Sequence, residues 1–317
     1  MVTFVKRLSR REALKVGLLA GAGIVASRLP LSAWQQEQLP LITKPIPSSG
    51  EKIPVIGLGT NQYGAQTPEE LAPRRAVLKR FAELGGKIVD TAPAYGRSEE
   101  VIGQLLDELG TRKQLFLATK VTMNGEDRQS AKQMLENSFK VLKTDRIDLM
   151  QVHSLSGTEG LLPLLREWKK AGRLRYFGVT TSSDSQYQDM EAIMRKHKMD
   201  FIQVDYSVMN RNAEERILPL AHERGMAVLA NLPFGGRRGN FLGSLKDRPL
   251  PAWAKEIDCT SWAQVCLKYV FSHPAITCAI PGTIRVQHIE DNLGALRGAV
   301  PDRAMRKRIE EAVAGAA

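Results

Sequence analysis

Short runs of apolar and β-branched residues alternate along the chain with longer segments whose apolar positions repeat at helical spacing. Eight such runs follow residue 53, and a stretch long enough for a helix separates each run from the next. The runs occupy residues 55–59, 87–90, 115–119, 147–152, 174–179, 201–204, 226–230 and 276–280. Strands that alternate with helices are typical of a parallel sheet, and eight such units close into a barrel. The pattern therefore predicts an α/β fold, a (β/α)₈ TIM barrel.

The first predicted helix carries clear start and stop signals. Thr67 can cap the helix with its hydroxyl, Pro68 fits the first turn, and Glu70 can complete a capping box. The pair Gly85–Gly86 then ends the helical pattern. These signals support a helix between the first two predicted barrel strands.

Segments outside the eight units complete the predicted fold. Residues 42–46 and 52–55 flank the turn residues 47–50 (PSSG), a pattern that predicts a β-hairpin, which we expect to plug the bottom of the barrel. Residues 302–314 predict a further helix near the end of the chain. The longest connection, residues 231–252, follows the seventh strand, and long loops at this end of a barrel usually border ligands.

Length and charge narrow the class of protein. The chain has 317 residues, of which 43% are hydrophobic, enough for one barrel domain that we place at residues 34–317. Part of the net charge of +11 falls in residues 1–33, where six Lys or Arg side chains accompany a single Glu. The remaining positive charge is spread out, with no basic run interleaved with aromatics, so we expect no nucleic-acid partner.

Residues 1–33 have the composition of an export signal. A basic region precedes eleven apolar or small residues at 16–26, a stretch too short to span a membrane. Residues 9–15 (SRREALK) resemble a bacterial twin-arginine signal, with Ala13 where an aromatic residue is more usual. We expect export to the periplasm by the twin-arginine export machinery, with cleavage within residues 26–33. A basic helix or an uncleaved anchor is the alternative.

The three cysteines, Cys259, Cys266 and Cys278, form no Cys-x-x-Cys motif, and their number is odd. This pattern indicates neither a disulfide framework nor a metal site. We expect small core residues at these positions.

Polar side chains end three neighbouring predicted strands. Asp90, Lys120 and His153 close the second, third and fourth strands, and Tyr95 lies five residues beyond Asp90. Barrel enzymes build their sites from side chains at the carboxyl ends of the strands, so we expect these four groups to converge. Each residue alone has a simpler explanation. Asp90 could cap the next turn, Tyr95 could be a surface aromatic, Lys120 could be a solvated charge, and His153 could be an ordinary histidine at a strand end.

Together the four groups supply what the reduction of a carbonyl needs. A hydride must reach the carbon while a proton reaches the oxygen. A lysine ammonium close to Tyr95 favours the phenolate, so we expect it to lower the pKa of the Tyr95 hydroxyl. Asp90 would hold Lys120 in place, and His153 would orient the substrate oxygen.

Several motifs in the chain resemble those of the aldo-keto reductase family. They are GLGT at residues 57–60, DTAPAYGRSE at 90–99, ATK at 118–120 and DLMQVH at 148–153. The similarity runs from about Ile46 to Gly298. The resemblance implies that Tyr95 is the general acid, that Lys120 and Asp90 tune it, and that His153 helps bind the carbonyl.

The resemblance also implies a nicotinamide cofactor. Residues 280–285 (IPGTIR) are similar to the family's adenosine-phosphate segment, and a helix amino end with an Arg suits a phosphate. We assign Arg285 to a 2′-phosphate, so NADPH is expected before NADH, which stays possible. The implied cofactor-binding residues are Thr60, Asp90, Thr181, Gln203, Pro281, Gly282, Thr283, Arg285, Asp291 and Asn292.

Two positions depart from the family pattern, both at the nicotinamide end. After the fifth strand the family usually has Ser-Asn, and the Asn grips the carboxamide, whereas this chain has Thr180–Thr181. After the seventh strand the family usually places an aromatic ring against the nicotinamide, whereas this chain has Asn231. Both changes predict a less tightly oriented cofactor.

These observations lead to one main hypothesis and two rivals. The main hypothesis is an exported, monomeric, NADPH-dependent oxidoreductase that reduces an aldehyde or ketone. The first rival is a redox-sensing or regulatory barrel that binds nucleotide with little or no turnover, which the two departures favour and the complete set of four groups opposes. The second is a barrel hydrolase, which would need a metal cluster or paired carboxylates, whereas only Asp90 is acidic at the predicted strand ends.

Overall fold

Ten strands and ten α-helices make up the part of the chain that the structure, a computed structural model, describes. That part comprises residues 39–123, 125, 127–235 and 241–314. The predicted export segment, residues 1–33, and five residues of the longest connection lie outside it. The predictions of an export signal and of a domain boundary at its end therefore stay predictions.

The strands form a two-stranded hairpin and an eight-stranded sheet. In chain order they are β1 (Thr43–Pro45), β2 (Lys52–Pro54), β3 (Leu58–Gly59), β4 (Ile88–Asp90), β5 (Phe116–Val121), β6 (Ile147–Val152), β7 (Leu174–Thr180), β8 (Phe201–Asp205), β9 (Ala227–Asn231) and β10 (Cys278–Ala279). Strands β3 to β10 are parallel and pair in sequence order. Each overlaps one of the eight predicted runs.

The first and last strands of the sheet meet and close the barrel. Two parallel bridges join Ile56 to Ala279 and Gly59 to Gly282. The N–H of Gly57 donates to the carbonyl oxygen of Ala279 at 2.8 Å. A Cβ on Gly57 would lie 2.9 Å from the carbonyl oxygen of Ile88, so the close approach of the strands here requires glycine. The predicted (β/α)₈ TIM barrel is confirmed.

Helices surround the sheet, and most follow a barrel strand. They are α1 (Pro68–Glu83), α2 (Ser98–Leu109), α3 (Arg128–Val141), α4 (Thr158–Lys170), α5 (Tyr187–Lys196), α6 (Ile217–Glu223), α7 (Phe241–Ser244), α8 (Trp262–Ser272), α9 (Val286–Gly294) and α10 (Arg303–Ala314). The predicted start of α1 is confirmed, because the Thr67 hydroxyl accepts from the Glu70 N–H at 3.3 Å. Gly85 follows α1 with a φ of +89°, a conformation that suits glycine.

The hairpin closes the lower end of the barrel, as predicted. Ile46 and Ile53 are fully or almost fully buried and pack with the side chains inside the barrel. Those interior residues are Ile88, Phe116, Ala118, Leu149, Tyr176, Phe201, Ala227, Leu229, Cys278 and Ile280. The Tyr176 hydroxyl donates to a carboxylate oxygen of Glu51 at 2.7 Å, which adds a polar link between the hairpin and β7. The lower half of the barrel is therefore a packed apolar core.

The three cysteines are buried and free, which confirms the prediction of small core residues. Burial raises the pKa of the Cys259 and Cys266 thiols to about 12, so both stay protonated at neutral pH. Among the described residues, no helix has both the length and the apolar character needed to cross a bilayer.

Candidate active site

The carboxyl ends of the barrel strands open into a cavity of about 500 Å³, which we call the upper cavity. Asp90 ends β4, Lys120 is the last residue but one of β5, and His153 directly follows β6. Tyr95 lies in the loop after β4. All four side chains line the upper cavity, so the structure brings together the groups that the sequence placed at neighbouring strand ends.

A buried ion pair lies at the base of the upper cavity. Lys120 Nζ donates to Asp90 Oδ2 at 2.7 Å and to the carbonyl oxygen of Thr91 at 2.9 Å. The side chains of Lys120 and Asp90 are only 2% and 4% exposed, and charges so buried require partners. Burial opposes the charge on Lys120, but Asp90 and Tyr95 outweigh it and raise the pKa of Lys120. Lys120 is therefore protonated at neutral pH.

The phenol of Tyr95 lies beside this pair. Lys120 Nζ is 4.9 Å from the centroid of the Tyr95 ring. Burial of the hydroxyl raises the pKa of Tyr95, and although the charge of Lys120 acts in the opposite direction, the pKa stays above its usual value. Our prediction of a lowered pKa is wrong, because burial outweighs the ammonium charge. Tyr95 consequently keeps its proton at neutral pH, which is the state that a proton donor needs.

His153 packs edge-on against Tyr95. The two ring centroids are 6.0 Å apart and the rings are inclined at 88°. Burial is the main reason that the pKa of His153 falls to about 4, and the charge of Lys120 adds to the effect. The imidazole is therefore neutral at pH 7, and it offers one N–H and one acceptor nitrogen.

The sequence reasoning missed Gln151, which supports the ion pair from below. Its Nε2 donates to Asp90 Oδ1 at 3.3 Å, and the side chain is fully buried. The sequence does allow this residue to be predicted. Side chains two residues apart on a strand face the same side of the sheet, so Gln151 on β6 faces the same side as His153.

Thr60 binds the backbone of Asp90, the acidic member of the ion pair. Its hydroxyl donates to the carbonyl oxygen of Asp90 at 2.8 Å, and the hydroxyl of Ser98 donates to the carbonyl oxygen of Thr60 at 2.7 Å. Thr60 also lines the upper cavity, where the sequence placed it. In this structure its hydroxyl fixes the backbone at Asp90.

Two amide side chains line the upper cavity: Gln203 in the middle of β8 and Asn231 at the end of β9. Gln203 Oε1 and Asn231 Oδ1 are buried and lack a hydrogen-bond donor among the described residues. Asn231 Nδ2 donates to the carbonyl oxygen of Thr181 at 3.0 Å. The Thr181 hydroxyl itself donates to Gln186 Oε1 at 2.6 Å, so this predicted cofactor ligand uses its hydroxyl within its own loop.

A second cavity, of about 520 Å³, lies between the long connection and the start of α9, and we call it the outer cavity. Thr283, Asp291 and Asn292 line it, as the sequence predicted for one end of the cofactor. Gly282 and Phe234 line both cavities, so the two spaces meet there. The predicted ligand Pro281 lines the upper cavity. Nine of the ten predicted cofactor residues therefore line the groove that these two adjoining cavities form, and Arg285 lines neither cavity.

The two charged residues predicted for the adenosine end differ in their surroundings. Asp291 accepts hydrogen bonds from the Ser261 hydroxyl at 2.8 Å and from Gln264 Nε2 at 2.9 Å, contacts that tie α9 to the start of α8. Arg285 immediately precedes α9 and is exposed. Within the part of the chain that the structure describes, its guanidinium has no ion-pair partner.

Comparison with known proteins identifies the family. The model of the Aldo/keto reductase family matches residues 55–314. The chain belongs to the aldo/keto reductase family. It is therefore an oxidoreductase of the aldo-keto reductase type.

Individual aldo/keto reductases are similar over much of the chain. YhdN of Bacillus subtilis is 32% identical over 224 residues, a match that covers 67% of this chain and 59% of YhdN, less than two thirds of that protein. The methylglyoxal reductase YeaE of Escherichia coli is 30% identical over 261 residues, which cover 80% of this chain and 89% of YeaE. An aldo-keto reductase structure from Klebsiella pneumoniae in complex with NADPH has a TM-score of 0.70 at 23% identity, and the match covers 86% of this chain and 96% of that one. At this identity the similarity shows only that the two chains share a fold.

The groove fits the nicotinamide dinucleotide that the family implies. The unpaired oxygens of Gln203 and Asn231 are acceptors for a ligand N–H, such as those of a carboxamide. A Cβ on Gly282, which lines both cavities, would lie 3.2 Å from the carbonyl oxygen of Gly59 and 3.3 Å from Asn61 Oδ1, so there is little room for a side chain here. The exposed Arg285 at the amino end of α9 suits a phosphate.

We predict that His153 resists protonation. Its pKa is lowered to about 4, so the free energy of unfolding that depends on the neutral imidazole is present above pH 6.5 and is lost as the pH falls from 6.5 towards 4. An NMR titration of the histidine ring protons checks this, because the chain has only five histidines. The signal missing from a His153→Gln variant identifies the residue. A midpoint near 6.5 would contradict the prediction.

Proposed function

We propose that this chain reduces an aldehyde or ketone to an alcohol with NADPH, and that Tyr95 is the general acid. The observation that carries the proposal is the placement of a protonated phenol beside a buried ammonium, in a groove lined by most of the predicted cofactor residues. An NADPH-bound relative of the same fold supports the choice of cofactor.

Each of the four converging groups has a role in this reaction. NADPH supplies a hydride to the carbonyl carbon when it is bound. The Tyr95 hydroxyl gives its proton to the carbonyl oxygen, and the Lys120 ammonium stabilises the phenolate that remains. Asp90 keeps Lys120 charged and in place. His153, which is neutral, donates an N–H to the substrate oxygen and so orients the carbonyl.

The lining of the upper cavity favours a small carbonyl compound with a polar substituent. Asn61, Gln62 and Ser154 line the cavity together with the four reacting groups. Their amide and hydroxyl groups are suited to hydrogen-bond a second oxygen on the substrate. The similarity to the methylglyoxal reductase YeaE supports this class, because methylglyoxal carries two adjacent carbonyls.

Replacement of Tyr95 with Phe tests the role of the phenol. We expect kcat for methylglyoxal to fall by about 10²- to 10⁴-fold in Tyr95→Phe, because the proton donor is lost, while the Kd for NADPH changes less than about twofold. Steady-state assays and fluorescence titration measure the two quantities. Tyr63→Phe is the matched control, since the Tyr63 hydroxyl is buried with no hydrogen-bond partner among the described residues and Tyr63 lines neither cavity. An unchanged kcat in Tyr95→Phe would exclude Tyr95 as the acid.

Replacement of Arg285 with Ala tests the preference for NADPH. We expect the Kd for NADPH to rise about tenfold and the Kd for NADH to stay within about twofold, because only NADPH has a 2′-phosphate for the guanidinium. Lys307→Ala, which removes a 78% exposed cation on α10, should leave both values unchanged. If the Kd values for NADPH and NADH rise by the same factor, Arg285 contacts a part of the cofactor that both nucleotides share, and the assignment to the 2′-phosphate is wrong.

A specific observation keeps one alternative open. Asn231 stands where the family usually has an aromatic ring, so the nicotinamide lacks that stacking partner. A regulatory barrel that binds nucleotide and turns over little or not at all would follow from such a loss. Tight binding of NADPH with no turnover of any carbonyl in the assays above would favour this alternative.

We also propose that residues 1–33 direct export by the twin-arginine route to the periplasm. The basic string at residues 9–15 supports the proposal. That route carries folded proteins, as the resemblance of the signal implies. Export in the folded state would let NADPH leave with the protein, which matters because reduced cofactor is regenerated inside the cell.

The arginine pair is the feature to change. We expect the variant with both Arg10→Lys and Arg11→Lys to stay in the cytoplasm at full precursor length, because the route depends on the guanidinium pair. Cell fractionation and immunoblotting of the full chain measure this. Arg7→Lys, outside the pair, should be exported like the natural protein. Export of the double variant would contradict the proposed route.

A further inference from the structure

The segment that follows β6 turns through a backbone conformation that its residues do not favour. The Ser156 N–H donates to the carbonyl oxygen of His153 at 3.0 Å, so residues 153–156 form a β-turn that begins at His153. Its two central residues, Ser154 and Leu155, have φ angles of +51° and +59°. Positive φ at both central positions is typical of a type I′ turn, which usually has Asn, Asp or Gly there. This chain has none of the three, so the turn needs support from elsewhere.

Residues at and beyond the end of β7 hold both backbone polar groups of Ser154. The Ser154 N–H donates to the hydroxyl oxygen of Thr180 at 3.1 Å, and the Ser154 carbonyl oxygen accepts from Gln186 Nε2 at 3.0 Å. That N–H belongs to the peptide group that joins His153 to Ser154, so its hydrogen bond restrains the backbone of His153 directly. Disfavoured backbone conformations persist where the surrounding structure holds them, and these two hydrogen bonds come from outside the turn.

The amide of Gln186 is itself held in one orientation. Its Oε1 accepts from the Thr181 hydroxyl at 2.6 Å, which leaves Nε2 as the end that donates to Ser154. The Gln186 side chain is half-buried and lines neither the upper cavity nor the outer cavity. Any effect of Gln186 on a reaction in the upper cavity therefore passes through the residues that it holds.

We propose that Gln186 is a positioning residue for the reduction: it holds the turn at residues 153–156 in its left-handed conformation and so fixes the orientation of the His153 imidazole. The inference rests on the proposed function, in which His153 orients the substrate oxygen. The imidazole lies edge-on to the ring of Tyr95, and a different conformation of the turn would move it relative to this proton donor. A displacement of about 1 Å in a reacting group can lower a rate by about 100-fold.

Replacement of Gln186 with Leu removes both of its hydrogen bonds. In Gln186→Leu we expect kcat for methylglyoxal to fall about tenfold, because the imidazole no longer keeps one orientation, while the Kd for NADPH changes less than about twofold. Gln188→Leu, at an exposed position on α5, is the matched control and should change neither quantity. An unchanged kcat in Gln186→Leu would overturn the inference, and so would a loss confined to NADPH binding, which would mean that Gln186 acts on the cofactor through Thr181.

A glycine within the turn should make Gln186 less important. Glycine adopts positive φ without a steric penalty, so in the Ser154→Gly background we expect Gln186→Leu to lower kcat less than about threefold. Ser156→Gly is the matched background, because Ser156 has a φ of −69° and a glycine there relieves no strain. The tenfold loss should persist in that background. Equal losses in all three backgrounds would show that Gln186 does not act through the strained turn, and the inference would fail.

The NMR signal of the His153 ring separates this inference from the proposed function, because it needs neither cofactor nor substrate. In the full chain we expect one sharp ring signal from His153, and in Gln186→Leu a broadened or split one, while the signals of the other histidines stay unchanged. Gln186→Ala provides a second variant with the same expected effects, should Gln186→Leu not fold. An unchanged His153 signal contradicts the inference whatever the activity. If the signal changes as expected but the natural protein reduces no carbonyl, the proposed function fails and the positioning of His153 by Gln186 stands.

Discussion

The buried pair of Asp90 and Lys120 is the constraint on which the upper half of the barrel depends. Two charges in the interior remain there only because each satisfies the other, and removal of one partner from such a pair typically costs about 3–5 kcal/mol. Thr91 and Gln151 complete the hydrogen bonds of the pair, and Thr60 fixes the backbone at Asp90. The same pair sets the electrostatic surroundings of the phenol and the imidazole above it.

The barrel interior is divided along the strands into an apolar half and a polar half. On β5, Phe116 and Ala118 belong to the core that the hairpin closes, and Lys120, two residues further on, reaches the ion pair. On β6 the inward-facing side chain is apolar at Leu149 and polar at Gln151, the next residue that faces inward. The apolar half supplies the packing that holds the strand ends rigidly, and the polar half places reacting groups on that support.

The sequence predicted those parts of the molecule that depend on local pattern. Strand spacing, helix caps and the polar residues at strand ends come from neighbouring positions, so the barrel, the hairpin and the meeting of Asp90, Lys120 and His153 could be predicted. The direction of the pKa shift of Tyr95 could not, because it depends on how deeply the folded chain buries the hydroxyl. The contact between Asn231 and Thr181 joins residues 50 positions apart, and no local pattern encodes it.

The closure of the barrel has a mechanical consequence. The sheet is joined to itself between β3 and β10 by two isolated bridges, whereas neighbouring strands elsewhere form regular ladders. Three backbone hydrogen bonds cross this seam, and Gly59, Pro281 and Gly282 form both its sides and part of the cavity wall. A ligand that contacts both sides of the seam therefore links β3 to the segment that follows β10. Its binding free energy adds to the stability of the closed ring and couples the first strand unit to the last.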